Sequence, residues 1–226
     1  MKRLFITKDN LKLLIKNQKK DCDEFIAPKK ENLDDIVFGD TKNDNRELLE
    51  YDGNPVISPR AFLLPQTEAL FKINSANDCD FSPTIDKKKR IFYGVRPCDI
   101  KASRLMRKFF LEDVVDLPYQ ERLSNSTFIA LACNIRCFKE SFCHEIDAGP
   151  IAKDGFDLQL IAVSKGYLVI VGSKKGAKVV QGNKKLFENT KSSYENEVKN
   201  KIRDFTKGTR PINYKKVARI IKEDKV

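Results

Sequence analysis

The sequence predicts a mixed α/β domain with a parallel β-α-β core, an added C-terminal hairpin and helices packed around the sheet. Two buried-strand patterns flank an amphipathic helix in the middle of the chain, which is typical of a parallel strand pair. Two further apolar runs joined by a short turn predict the hairpin. With 41% apolar residues in 226, the chain can bury an ordinary core, and its apolar runs fall far short of the roughly 20 residues that span a bilayer.

The N-terminal part is predicted to hold one helix and two short extended segments. Thr7 or Asp9 can cap the helix, whose apolar residues recur at helical spacing, and strands are predicted at residues 25–27 and 34–38. Ser58 before a proline is a good N-cap for a further helical segment.

The stretch after Ser58 is predicted to contain a second helix and a long loop. Pro65 starts a helix over residues 66–73, and the polar residues 74–89, interrupted by Pro83, follow as a loop.

The core is predicted around residues 90–133. Residues 91–95 form a buried strand, Asp99 caps the following helix, and residues 127–133 form the second strand. One face of that helix carries the apolar residues Ala102, Leu105, Met106, Phe109 and Phe110. Residues 158–163 and 167–171 are the two strands of the hairpin.

The positive charge is concentrated at the C-terminal end. Residues 173–226 hold sixteen Lys or Arg against six Asp or Glu, a net +10 of the total +11, and predict helices at 176–185, 195–205 and 214–222. We therefore divide the chain into an α/β core domain, residues 1–172, and a basic helical segment, residues 173–226, which packs on or extends from the core and serves docking more than core formation. Basic segments bind nucleic acids, anionic membranes or acidic proteins, or are solvated helix faces. We favour the solvated face, because the few aromatic residues form no stacking platform for nucleic acid.

Four of the six cysteines follow the two predicted core strands. Cys98 comes after the first strand, and Cys133, Cys137 and Cys143 begin at the end of the second. Loops that leave neighbouring parallel strands converge in one crevice, so these thiols can meet there. Four thiolates suit an iron–sulfur cluster or tetrahedral zinc. The basic start of the chain has too few apolar residues for an export signal, and reduced cysteines are expected in the cytosol.

Other interpretations of these residues remain open. Cys133 ends an apolar run and can be a core residue, and the spacing Cys133-x3-Cys137-x5-Cys143 differs from the compact ferredoxin pattern. Cys22 and Cys79, each between two aspartates, are interpreted as surface thiols. His144 is the only histidine, which excludes a two-histidine metal site and leaves a Cys–His dyad as a minor alternative.

A glycine-rich turn and the absence of one motif bear on nucleotide binding. Residues 172–178 superficially resemble a phosphate loop, but the glycine spacing is wrong and Val179 stands where a hydroxyl would bind the metal. We interpret this stretch as a strand-to-helix turn. The sequence contains no Gly-x-Gly-x-x-Gly, so neither dinucleotide binding nor independent catalysis is predicted.

Several motifs together resemble one family, over residues 27–178. The motifs are Ser58-Pro59-Arg60, Phe62-Leu63-Leu64-Pro65-Gln66-x-Glu68, Tyr93-Gly94-Val95-Arg96-Pro97-Cys98-Asp99, Phe142-Cys143, Ala148-Gly149-Pro150, Gly155-x-Asp157-Leu158, Gly166-Tyr167-Leu168-Val169 and Gly172-Ser173. The chain resembles the β subunits of cytoplasmic sulfhydrogenases, which are NiFe hydrogenases, together with the corresponding iron–sulfur subunits of anaerobic sulfite reductases. These are 4Fe-4S dicluster proteins.

The resemblance implies an electron-relay subunit that passes electrons between a catalytic and a flavin subunit, the latter using NAD(P)H. It also implies a ferredoxin-like module after this domain, whereas the sequence ends at Val226 before any such module. Either the chain is truncated, or the module is a separate polypeptide, or the relay is lost and the docking domain kept. Ser141 stands where the family often has a further cysteine, and Cys137 is the candidate to replace it.

Three functions are consistent with these observations. The first is an iron–sulfur electron-transfer subunit of an oxidoreductase complex, with a [4Fe-4S] cluster on Cys98, Cys133, Cys137 and Cys143 or on a neighbouring subunit. Its expected partners are the catalytic subunit, the flavin subunit, or the ferredoxin-like module. The second is a metal-free assembly subunit of such a complex. The third, a basic nucleic-acid-binding module, rests on the charge of residues 173–226 alone.

Overall fold

The structure is a computed structural model and describes residues 1–31, 35–74, 80–138, 141–207 and 213–223. The described residues form ten strands and six α-helices. The strands are β1 (Arg3–Thr7), β2 (Glu24–Lys30), β3 (Ile36–Asp40), β4 (Phe71–Asn74), β5 (Asp80–Pro83), β6 (Arg90–Val95), β7 (Ser126–Leu131), β8 (Leu158–Val163), β9 (Gly166–Val171) and β10 (Glu188–Asn189). The helices are α1 (Lys8–Lys20), α2 (Pro97–Leu111), α3 (Leu117–Ser124), α4 (Lys174–Gly182), α5 (Ser192–Thr206) and α6 (Tyr214–Glu223). None of these helices is long and apolar enough to cross a membrane.

The predicted parallel core is confirmed. One mixed sheet has the order β10-β1-β9-β8-β7-β6-β2-β3, and its four adjacent strands β8, β7, β6 and β2 run parallel. Every residue of β6 is buried, which explains why residues 91–95 after Arg90 are all apolar or aromatic or glycine. The crossover from β6 to β7 holds α2 as predicted and also α3, which the sequence pattern did not indicate.

The start and the apolar face of α2 differ from the prediction. The helix begins at Pro97 with Arg96 at the N-cap, so Asp99 lies in the first turn and is not the cap. Proline at the first helical position explains the earlier start, since its missing N–H would be unpaired there anyway. Leu105 and Phe109 are exposed by 63% and 80%, so the predicted apolar face of α2 only partly packs on the core.

The predicted hairpin is confirmed as β8 and β9, and β8 extends the parallel core by pairing with β7. The turn after β9 has a packing role. Asp157 accepts a hydrogen bond from the backbone of Phe128 at 2.7 Å and another from the hydroxyl of Ser173, which caps α4. A Cβ at Gly176 would lie 1.9 Å from the Asp157 carbonyl oxygen. The glycine-rich stretch is therefore a tightly packed strand-to-helix turn, as predicted.

The N-terminal predictions are confirmed in part. Thr7 caps α1 by accepting a hydrogen bond from the backbone of Asn10, and β2 covers the first predicted strand. The second predicted strand is β3, although Asp34 lies outside the described residues. Ser58 caps a short 3-10 turn at Pro59–Phe62.

The predicted helix over residues 66–73 is wrong. Residues 71–74 form β4, which pairs with β5 in a small second sheet, so part of the predicted loop is also a strand. Phe71 and Ile73, two apolar residues of this hairpin, are 60% and 61% exposed. A helix here would not have been stabilised by packing on the core, which is where most helical stability comes from.

The basic segment is joined to the core as far as residue 207. Its strand β10 pairs with β1 at the edge of the main sheet. Tyr194 and Val198 of α5 are buried, and the Tyr194 ring stacks on Phe5 with 4.6 Å between centroids. The expectation that this segment adds little to the core is therefore wrong for these residues. The division of the chain at residue 172 stays a prediction.

Candidate functional site

The carboxyl ends of β6 and β7 position the candidate site. Gly94 has a φ of +77°, and the pairing of β6 with β7 shifts register between Tyr93 and Val95. A Cβ at Gly94 would lie 3.0 Å from the ring of Pro28 as well as straining the backbone. The chain therefore leaves the sheet with an irregular step before Arg96, and the first turn of α2 then presents Cys98 at this edge.

Cys98 and Cys143 are brought together. A hydrogen bond between the two thiols lowers the pKa of Cys143 and, with burial, raises the pKa of Cys98. One proton between two sulfurs accounts for the opposite directions, because Cys98 keeps it and stabilises the Cys143 thiolate. The convergence of all four sulfurs on one point stays a prediction.

Cys133 and Cys137 lie at the same edge. Burial raises the pKa of Cys133 to about 12, and both Cys137 and Cys143 are near enough for their charges to act on it. The Cys137 thiol donates a hydrogen bond to the carbonyl oxygen of Gly53 at 3.4 Å, and burial raises its pKa as well. Cys137 therefore belongs to the group but is turned toward the segment that contains Gly53.

The thiols do not form a closed ligand set. Within the described ranges, no three or more His, Cys, Asp or Glu side chains are arranged to hold a metal ion. The donor chemistry nevertheless fits an iron–sulfur cluster, since four cysteine sulfurs from two strand ends share one edge of the sheet. The residues that could hold a cluster are Cys98, Cys133, Cys137 and Cys143.

Hydrogen bonds fix the loop that carries three of these cysteines. The backbone N–H of Cys133 donates to the carbonyl of Pro150 at 3.0 Å. Gln159, which is fully buried on β8, exchanges two hydrogen bonds with the backbone of Ala152 at 2.7 and 3.2 Å. Lys101 of α2 donates to the backbone carbonyls of residues 146 and 147. Both ends of the loop are therefore anchored to the parallel core.

Arg96 and Tyr51 are two residues of the site that the sequence reasoning missed. Arg96 is only 2% exposed, and its guanidinium lies over the ring of Tyr51, 3.8 Å from the ring centroid. The Tyr51 hydroxyl donates to the carbonyl of Gly94 at 2.8 Å. The position of Arg96 could have identified it from the sequence, because it lies between a strand predicted to be buried and the start of a helix. A charge buried there needs a compensating partner.

The remaining candidates are placed as follows. In the part of the chain that the structure describes, the His144 side chain makes no hydrogen bond to a cysteine thiol, so nothing supports the Cys–His dyad. Cys22 is 5% exposed and belongs to the main core, and burial raises its pKa to about 11. The prediction of a surface thiol is wrong for Cys22, whose acidic neighbours point to solvent while its own side chain packs inward. Cys79 lies outside the described residues.

Comparison with known proteins bears on the family resemblance. No protein-family model matches the chain. Sulfhydrogenase 2 subunit beta of Pyrococcus furiosus is 32% identical to it over 136 residues. The resemblance to a sulfhydrogenase β subunit is confirmed. The matched region covers 59% of this chain and 38% of that sulfhydrogenase subunit, so the chain spans well under half the length of its relative.

One solved structure gives a weaker similarity. A chain in a xenon-derivatised F420-reducing [NiFe] hydrogenase complex from Methanosarcina barkeri has a TM-score of 0.46 and 13% identity. The alignment covers 83% of this chain and 81% of the hydrogenase chain. A TM-score of this size supports no argument about fold or function, and the likeness to the sulfhydrogenase β subunit stands on the sequence match.

Proposed function

We propose that this chain is the N-terminal domain of an iron–sulfur electron-transfer subunit of a cytoplasmic oxidoreductase complex, such as a sulfhydrogenase or a sulfite reductase. One [4Fe-4S] cluster is held by Cys98, Cys133, Cys137 and Cys143. The observation that carries this proposal is that Cys98 in the first turn after β6 and the cysteine loop after β7 leave adjacent parallel strands at the same edge of the sheet. When bound, the cluster supplies a one-electron carrier, and the chain itself binds and insulates it.

The open arrangement of the thiols agrees with this proposal. Thiol ligands must lose their protons to bind metal, and binding is coupled to local ordering. In the chain without metal, Cys98 and Cys133 are protonated because burial and hydrogen bonding raise their pKa values. Binding of iron would replace those protons and draw the sulfurs into a ligand set.

The surroundings of the cysteines support docking of another subunit to this edge. Ile135, Phe138 and Phe142 lie beside the cysteines in sequence and are exposed by 57%, 57% and 60%. Large apolar side chains exposed around a site are typical of interaction surfaces. Electron transfer also requires the donor and acceptor centres to approach closely. We therefore place the catalytic subunit, the flavin subunit or the ferredoxin-like module against these three residues.

A metal-free assembly subunit is the second candidate. It is favoured by the finding that no described group of three ligating side chains is closed around a metal position. In that case the exposed apolar residues beside the cysteines would serve docking alone, and the thiols would be partly buried polar groups of the loop. Metal analysis separates the two functions.

The test is anaerobic reconstitution with iron and sulfide, followed by iron, sulfide and zinc analysis and an absorption spectrum. We expect about four iron and four sulfide per chain in the wild type. Cys98→Ala and Cys143→Ala should lose most of the iron, because each removes a proposed ligand. Cys22→Ala is the matched control, since it removes a buried thiol of the core, and it should keep the iron. Wild-type protein that binds no iron would support the metal-free assembly function instead. Wild-type protein that binds zinc and no iron would contradict the electron-transfer function.

A further inference from the structure

Arg96 is a buried cation beside the four cysteines. It is 2% exposed and occupies the N-cap of α2, two residues before Cys98. Its guanidinium donates a hydrogen bond to the carbonyl oxygen of Ala132, the residue before Cys133, so it lies beside the start of the loop that carries the other three cysteines. Arg96 is therefore the positive charge that is built into this edge of the sheet.

The hydrogen-bond partners of Arg96 within the chain are electrically neutral. The guanidinium donates to the carbonyl oxygen of Ala132 at 3.3 Å and to that of Tyr51, whose ring it also covers. Carbonyl dipoles and an aromatic face stabilise a cation, but they do not neutralise it. Asp99 is close enough for its pKa to respond to Arg96, yet among the described residues no carboxylate lies within ion-pair distance of the guanidinium.

One N–H of Arg96 has no hydrogen-bond partner. Its Nε is buried and makes no hydrogen bond with any described residue. Leaving a charged donor buried and unpaired is costly, so the unpaired Nε of Arg96 needs an explanation. A buried cation with an unused donor, two residues before Cys98 and bonded to the residue before Cys133, is suited to an anion bound at this edge.

We propose that Arg96 is a positioning residue that donates a hydrogen bond from Nε to a sulfur of the bound cluster and raises its reduction potential. This inference rests on the proposed function. A cluster held by four thiolates carries net negative charge, and one electron from a reductant makes it more negative without forming or breaking a bond. A neighbouring cation and a charged donor stabilise the reduced form more than the oxidised form.

The experiment is a redox titration of the reconstituted protein with dithionite, in which the absorption spectrum is recorded at each potential. We expect Arg96→Met to take up iron and to show a lower midpoint potential than the wild type. Arg104→Met is the matched control, since Arg104 is an exposed arginine of the same helix that pairs with Asp154, and it should leave the potential unchanged. Equal potentials for the two variants would overturn the proposal.

A second measurement does not depend on the folding of Arg96→Met. Wild-type protein labelled with 15N-arginine should show nitrogen hyperfine coupling to the reduced cluster by pulsed paramagnetic resonance, and Arg96→Lys should lose it, because lysine keeps the charge but not the guanidinium. Coupling that is absent from the wild type, or that persists in Arg96→Lys, would overturn the assignment. If the wild type takes up no iron, the proposed function fails and this inference fails with it; iron uptake without these effects contradicts the role of Arg96 alone.

Discussion

The two ends of β6 carry buried arginines in contrasting surroundings. Arg90, at the amino end, forms ion pairs with Glu24 at 2.6 Å and with Asp86 at 2.5 Å. Arg96, just past the carboxyl end, contacts backbone carbonyls and the ring of Tyr51. Both are nearly inaccessible, with 5% and 2% exposure, and each leaves one buried N–H unpaired. The charge of Arg90 is balanced by its own chain, whereas that of Arg96 is not.

This difference distinguishes the two arginines by role: Arg90 stabilises the fold, whereas Arg96 belongs to the candidate site. The Arg90–Glu24 pair joins the first residues of two adjacent parallel strands and so helps to set their register. Such a pair is complete when the chain folds. At the other end of the strand, the same side-chain type lies beside thiols of which Cys98 and Cys133 keep their protons until a metal replaces them. Under the proposed function, the bound cluster supplies the negative charge that balances Arg96 at the carboxyl edge.

The largest expected effect compares the two arginines in the metal-free protein. Arg90→Met removes the buried cation that Glu24 and Asp86 share, leaves Glu24 paired with Lys88 alone, and should lower the free energy of unfolding by about 2 kcal/mol. Arg96→Met removes an unbalanced buried charge together with two hydrogen bonds, so these effects oppose each other and the loss should be about 1 kcal/mol or less. Urea unfolding of both variants measures the difference. An Arg96→Met variant as unstable as Arg90→Met would mean that the chain already balances Arg96.

The next prediction concerns the reactivity of the thiols at the carboxyl edge. In the metal-free protein, Cys143 should react with iodoacetamide before the other described cysteines, because its hydrogen bond from Cys98 lowers its pKa. Cys98→Ala removes that hydrogen bond and should slow the modification of Cys143 on the order of tenfold near neutral pH. Peptide mass spectrometry follows each site, with buried Cys22 as the unreactive control. Unchanged labelling of Cys143 in Cys98→Ala would show that the two thiols do not share a proton.

The smallest effect is the pH dependence contributed by the amino end of β6. Burial alone would raise the pKa of Glu24, but hydrogen bonds from Lys88 and Arg90 lower it overall from its ordinary value of 4.5. A lowered folded pKa gives stability that is present above 4.5 and is lost as the pH falls through the folded value. The stability difference between wild type and Glu24→Gln should therefore shrink on acidification. A difference that is constant with pH would show that ionised Glu24 does not stabilise this end of the strand.

The sequence was sufficient for the parts of the fold that depend on local patterns. The strands β6 and β7 are runs of buried apolar residues, and Thr7 and Ser58 are caps that act on residues two or three positions away. The helix over residues 66–73 was predicted wrongly because Pro65 was interpreted as a helix start, whereas residues 71–74 form a strand of a hairpin whose side chains Phe71 and Ile73 are exposed.

The sequence predicted the candidate site only where a site residue follows closely after a predicted strand, as Cys98 follows β6 and Cys133 follows β7. Parallel topology places Cys98 and the loop after β7 at the same edge of the sheet. The Arg96–Tyr51 contact joins residues 45 positions apart and depends on how the segment before Ser58 returns across the sheet end. No periodicity or motif encodes that return path. The burial of Cys22 was missed for a related reason, since two aspartates mask a side chain that points the other way.

The most direct test of the cluster assignment is low-temperature paramagnetic resonance of the reconstituted, dithionite-reduced protein. We predict that the wild type gives the signal of a reduced [4Fe-4S] cluster, that Cys22→Ala gives the same signal, and that Cys98→Ala and Cys143→Ala lose it. Iron measurements on the same samples check that signal and metal change together. A wild type with no such signal, or an unchanged signal in both Cys98→Ala and Cys143→Ala, would contradict the assignment of the cluster to the carboxyl edge of the sheet.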